Sequence, residues 1–171
     1  MKAVFFDLIG TLVPLEWGES KEVMQKQYDR IIKTIDELKR LKEQGFKLYV
    51  VSTLPVESIK ESLNVSYYSK NFFDGLLSTK DSPEYKKGDA DSIAKAKAEL
   101  IQAEMKKNGI ENSNAFLVGD SPMEQKAAKI ARIQNVRTNY LNEVKNKIAD
   151  PHSRRGYWQT TGWKKFHGRL K

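Results

Sequence analysis

Cysteine is absent from the sequence, which excludes disulfides and thiolate metal sites and removes any argument for an oxidising compartment. Long apolar runs are missing too. None approaches the roughly 18 residues that a membrane span needs, and the first residues enter a strand pattern without a basic, cleavable leader. A soluble, cytoplasmic chain with no membrane partner is expected. Acid is missing from one region in particular: residues 151–171 hold six Lys/Arg and no Asp or Glu, whereas residues 1–150 hold 24 and 22. Most of the formal net charge of +8 therefore sits in that stretch, together with His152, His167, Trp158 and Trp163. The expected organisation is one α/β domain over 1–150, long enough to bury its own core, and a basic, aromatic tail over 151–171.

Short apolar runs alternate with long helical patterns along the domain, the pattern of βαβ units around a parallel sheet. Strands are expected at Ala3 to Asp7, Lys47 to Ser52, Phe73 to Leu77, Ala115 to Gly119 and Val136 to Tyr140. Met24, Tyr28, Ile31, Ile35 and Leu38 recur at helical spacing and predict a crossover helix that stops at Gly45. Further helices are expected from about Asp89 to Lys107 and from about Pro122 to Arg132, the last with proline inside its first turn. Between Ser52 and Lys87 there is room for one helix and one strand. The fold class is a three-layer α/β/α sandwich with a mainly parallel, Rossmann-like sheet.

Open sheets of this kind bind ligands beyond the carboxyl ends of their strands. Asp7 ends the first strand, Ser52 and Thr53 the second, and Gly119 and Asp120 the fourth. Taken in order, Asp7 with Gly10 and Thr11, the hydroxyl of LYVVST, the lysine of YKKGDADSI and the acid of FLVGDSPMEQKAA are separated by 45, 35 and 33 residues. This series resembles the haloacid dehalogenase (HAD) superfamily over roughly residues 2 to 140. The resemblance implies a hydrolase that acts on phosphate esters or anhydrides. Asp7 would be the nucleophile of an aspartyl-phosphate intermediate, and Ser52 would donate to a phosphate oxygen, with Thr53 its neighbour and fallback and Thr11 also on the substrate side. Lys87 would offset negative charge, with Lys86 as rival. Mg²⁺ would be held by Asp7, the Ile9 backbone carbonyl and Asp120, an oxygen-only set suited to a hard cation. Glu124 would either join it through water or orient the lysine.

One position departs from the pattern. Phosphatases of the superfamily usually carry a second aspartate two residues after the nucleophile, which protonates the leaving oxygen and later activates water. Here that position is Ile9. General acid and base help is worth roughly 10² to 10⁴ in rate, so good leaving groups such as acyl or aryl phosphates are expected to be favoured unless Glu16, His152 or His167 supplies an acid. Two alternatives stay open: a 2-haloacid dehalogenase-type hydrolase, or a catalytically weakened HAD-fold binding protein.

The spacings leave no room for a cap domain of the usual size. Superfamily members without one tend to take phosphates exposed on macromolecules or to cover the site by oligomerising, so both large and small phosphorylated substrates stay in view. The tail interleaves Arg154, Arg155, Lys164, Lys165 and Arg169 with Tyr157, Trp158, Trp163 and Phe166. That pattern fits three roles: aromatic packing against the domain, a lid over the site, or contact with nucleic acid.

Overall fold

The computed structural model describes residues 1–137 apart from Leu15 and Lys70. The tail at 151–171 and the end of the strand expected at Val136 to Tyr140 lie outside the described residues. Five strands, β1 (Lys2–Phe6), β2 (Phe46–Ser52), β3 (Gly75–Ser78), β4 (Ala115–Gly119) and β5 (Gln134–Arg137), alternate with helices α1 (Lys21–Glu43), α2 (Val56–Val65), α3 (Ala90–Asn108) and α4 (Pro122–Ala131). All strand pairings are parallel, in the order β3-β2-β1-β4-β5. The expected α/β sandwich is the observed one. No helix among the described residues is long and apolar enough to cross a membrane.

Side-chain alternation along the strands assigns the two faces. Val4, Phe6, Leu48, Val50, Phe116 and Val118 turn toward Ile31, Leu38, Ile59 and Leu63 of α1 and α2. Ala3, Phe5, Tyr49, Val51 and Leu117 turn toward α3 and α4. The second face is lined by small residues: Ala94, Ala98, Ala127, Ala128 and Ala131 are all at most 1% exposed. Side chains this short let α3 and α4 sit close to the sheet, which decides what α3 can reach.

The helix ends follow local chemistry. Ser20 caps α1 by accepting from Val23 N–H at 3.2 Å. Asp89 caps α3 through Asp91 and Ser92 N–H, and Gly109 closes that helix with φ 62°. Ser121 and Glu124 form a reciprocal capping box at the start of α4, with Pro122 in its first turn. The strand expected from Phe73 begins later, at Gly75. Phe72 and Phe73 instead turn their rings onto each other, 5.5 Å apart, and pack on the α1/α2 core, while Gly75 lies against the Tyr49 ring where a Cβ would come within 2.9 Å.

Asp74 joins β3 to β2 just ahead of that start. Its Oδ2 accepts from Leu48 N–H and its Oδ1 from Lys47 Nζ, both at 2.9 Å, with Lys42 Nζ at 3.5 Å. Burial alone would raise the carboxyl, but the Leu48 N–H and the two lysines outweigh it and hold it below the usual range. The stabilisation is therefore present above the unfolded value of roughly 4 and is lost as pH falls through the lower folded one. Asp74→Ala is expected to lower the unfolding free energy by about 1–3 kcal/mol at pH 7. In urea titrations the gap to wild type should narrow in acid, and an equal gap at both pH values would rule out the electrostatic origin.

Candidate active site

Asp7 leaves the end of β1 with its N–H still in the ladder, donating to the Val118 carbonyl at 2.8 Å. The chain then curls tightly. The Leu8 carbonyl accepts from the N–H groups of Thr11, Leu12 and Val13, and Gly10 supplies the left-handed turn at φ 83° that a side chain would strain. The Ile9 carbonyl accepts none of these loop bonds. β4 pairs Val118 with Phe6, so the register carries Gly119 level with Asp7 and Asp120 just beyond it. One carboxylate oxygen from each of Asp7, Asp120 and Glu124 lies within 4.8 Å of the others.

The cation that meets Asp7 is Lys97, a residue not singled out in the sequence. Its Nζ lies 2.7 Å from Asp7 Oδ1 and also donates to Glu124 Oε1. Its side chain is 3% exposed. Lys87, the expected lysine, is exposed, and so is Lys86. The Lys87-Gly88-Asp89 stretch serves α3 instead: Gly88 takes φ 81° and Asp89 becomes the cap. Lys97 has a signal of its own in hindsight. It stands four residues before Ile101 and eight before Met105, on the buried stripe of α3, so a lysine occupies a position that the period assigns to the core.

Charges here are set by burial and by one another. Loss of water pushes the Asp7 carboxyl up; Lys97 opposes that and Glu124 reinforces it, and the group comes to about 6 from an ordinary 3.8. Burial would lower Lys97, but Asp7 and Glu124 together hold it above the usual lysine value. Burial would raise Glu124, yet the charge and hydrogen bond of Lys97 and a bond from Ser121 keep it low.

Both Glu124 oxygens are committed, Oε1 to Lys97 and Oε2 to the Ser121 N–H and hydroxyl. Gly119 makes room for it, since a Cβ there would fall 2.2 Å from Glu124 Cγ. Glu124 is thus built in as the partner of Lys97, and its carboxylate with those of Asp7 and Asp120 forms a cluster of oxygens that suits a hard divalent ion.

The other residues expected at the site end or follow β1 and β2, at the same end of the sheet. Ser52 ends β2 beside β1 and is 2% exposed. Its Oγ accepts from Leu54 N–H at 3.3 Å, a bond that does not use the hydroxyl proton. Thr53 is half-buried. Thr11 is buried, and its Oγ1 has no hydrogen-bond partner among the described residues. Ile9 is half-buried and packs on the α1/α2 core. Of the alternative acids, Glu16 is exposed, and His152 and His167 lie outside the described residues.

Known proteins share this fold. A candidate phosphoglycolate phosphatase from Lactobacillus delbrueckii subsp. bulgaricus is 23% identical, with a TM-score of 0.45 over 64% of this chain and 44% of that one. The chain thus spans less than half of that relative. CbbY from Rhodobacter sphaeroides, solved as a variant with xylulose-1,5-bisphosphate, matches at TM-score 0.53 and 14% identity over 80% of this chain and 85% of that one. A HAD family enzyme from Bacteroides thetaiotaomicron, solved with magnesium and inorganic phosphate, matches at TM-score 0.52 and 14% identity over 80% and 93%. At these identities the likeness is one of fold. No curated protein matches the sequence. The family described as haloacid dehalogenase-like hydrolase matches residues 15–138, a stretch that begins after Asp7 and spans most of the domain, and the chain belongs to that family of hydrolases.

Proposed function

We propose that the chain is a Mg²⁺-dependent phosphohydrolase that acts through an aspartyl phosphate on Asp7 and favours good leaving groups. The observation that carries this reading is the Lys97 ammonium, held 2.7 Å from Asp7 Oδ1 with Glu124 on its other side. A buried lysine bridging two acids fixes the direction of the nucleophile and neutralises charge where a phosphoryl group would arrive. Asp7 and Asp120 would hold Mg²⁺, with the Ile9 carbonyl completing the protein's share. The ion would supply charge neutralisation on the transferring phosphoryl oxygens.

The steps that the chain's own residues perform follow from this. With a carboxyl near 6, Asp7 is mostly ionised at pH 7. An Asp7 oxygen attacks phosphorus, the P–O bond to the leaving group breaks, and the leaving oxygen departs with the electron pair. Ser52 donates its free hydroxyl proton in a hydrogen bond to a phosphoryl oxygen, a task that Thr11 Oγ1 or Thr53 would share. Water then cleaves the acyl phosphate, releasing inorganic phosphate and restoring the carboxylate. Ile9 moves no proton, so the leaving oxygen must be stable without one.

The test is hydrolysis of p-nitrophenyl phosphate and acetyl phosphate with and without Mg²⁺. Turnover that depends on Mg²⁺ is expected; its absence would overturn the reading, and halide release from a 2-haloacid would favour the dehalogenase alternative. Ile9→Asp bears on the missing acid directly. It is expected to raise kcat/KM for a poor leaving group such as glycerol phosphate by about 10²-fold or more, and that for p-nitrophenyl phosphate by much less. Equal gains for both substrates would show that leaving-group protonation is not what the site lacks.

A further inference from the structure

Ile9 does more than remove an acid, because it places an apolar side chain two residues after Asp7. It follows β1 as Leu54 follows β2, and the register of these neighbouring strands, Phe6 with Val50, delivers both residues to the same end of the sheet. Both are half-buried, and both pack on the α1/α2 core cluster. Each is anchored from within and keeps part of its side chain exposed. Leu54 is also tied to the site through its backbone, whose N–H donates to Ser52 Oγ. Lys97 and Glu124 reach Asp7 from α3 and α4, the helices of the opposite face, and Asp120 follows β4. Asp7 is thus met by charged groups from the α3/α4 side, while Ile9 and Leu54 bring apolar side chains to the same end of the sheet from the α1/α2 side.

We infer that Ile9 and Leu54 form the subsite for the leaving group and select an aromatic one, so that the preferred substrates are aryl phosphates rather than sugar or polyol phosphates. The inference rests on the phosphohydrolase reading above and names its substrate class. An aryl group meets both properties of the position. Phenolate departs with the P–O electron pair, without help from an acid, and takes its proton from water afterwards; its ring meanwhile covers apolar surface on Ile9 and Leu54. A polyol fails on both counts. Its alkoxide needs the proton that Ile9 cannot give, and its hydroxyls would lose water against side chains that cannot hydrogen-bond.

Binding separates this from leaving-group chemistry. Phenylphosphonate and methylphosphonate carry the same anionic head and are not hydrolysed, and their affinities for the full chain with Mg²⁺ can be read by calorimetry. Phenylphosphonate is expected to bind about tenfold more tightly, which corresponds to about 1.4 kcal/mol. In Leu54→Ser that preference should shrink toward unity. Equal wild-type affinities, or no binding of either phosphonate, would overturn the inference without any variant; a preference that survives in Leu54→Ser would remove Leu54 from it.

Turnover provides the second readout. The kcat/KM ratio of phenyl phosphate to acetyl phosphate is expected to fall about tenfold in Leu54→Ser, carried by KM for the phenyl ester. Acetyl phosphate hydrolysis without any phenyl preference would sink this inference and leave the phosphohydrolase standing. Failure to hydrolyse either ester would sink the phosphohydrolase reading itself.

Discussion

Asp7→Asn is expected to abolish Mg²⁺-dependent phosphate release, lowering kcat by at least about 10³-fold, while the protein stays folded. The amide keeps the shape of the carboxylate but is no nucleophile, so no acyl phosphate forms. The folded state should tolerate the change because burial already works against an ionised Asp7. A folded value near 6 against an ordinary 3.8 means that the native protein binds this proton more tightly than the unfolded chain does. In the absence of metal, the stability of the wild type should therefore fall as pH rises from about 4 through about 6 and level off above. Asp7→Asn lacks that group and should lack that fall. Urea midpoints at pH 5 and pH 8 in the presence of a chelator read this directly. Added Mg²⁺ should raise the melting temperature of the wild type more than that of the variant, by ordinary linkage. Residual magnesium-dependent turnover in Asp7→Asn would remove Asp7 from the nucleophile's role.

Lys97→Met is expected to have the largest effect on stability. It replaces the ammonium with an apolar chain of similar length and leaves Asp7 and Glu124 facing each other without a cation, both at most 8% exposed. Breaking a buried ion pair on one side costs about 3–5 kcal/mol, which for a domain of this size corresponds to a drop of roughly 10 °C in melting temperature. The loss should depend on pH. Near pH 5 Asp7 is mostly protonated and only Glu124 is left unpaired, so the variant should lie closer to wild type there than at pH 8. A penalty of equal size at both pH values would mean that lost packing, not lost charge pairing, sets it. Phosphate turnover should fall about 10²-fold or more as well, and Lys97→Arg should restore stability more fully than activity, because the guanidinium keeps the charge but not the shape of the ammonium. Lys87→Met, by contrast, changes an exposed side chain and is expected to leave the melting temperature of the wild type unchanged within about 2 °C.

Those two lysines show where the sequence was legible and where it was not. The helical stripe of α1, the proline of α4, and the apolar runs that became β1, β2 and β4 are local signals, and their elements appear close to where the pattern predicted them. β3 was less legible, since Phe73 read as the start of a strand when its ring, with that of Phe72, serves the core instead. Lys87 was expected beside Asp7 because KKGDADSI matches a family motif, whereas Gly88 and Asp89 serve the start of α3 and the lysine that meets Asp7 is Lys97.

By itself the sequence determined the α/β class, the order of the elements and the delivery of Asp7, Ser52 and Asp120 to one end of the sheet. Parallel strands joined by crossover helices all point the same way, so a residue that ends an apolar run is carried to that end without further information. Which cation meets Asp7 was decided only in three dimensions. Lys97 stands 90 residues from Asp7 along the chain, and it reaches the carboxylate because the alanines of α3 and α4 let those helices settle close to the sheet. Glu124 likewise turns inward because Gly119 leaves it space. Contacts of this kind depend on how two elements approach each other, and no local pattern of residues records that distance.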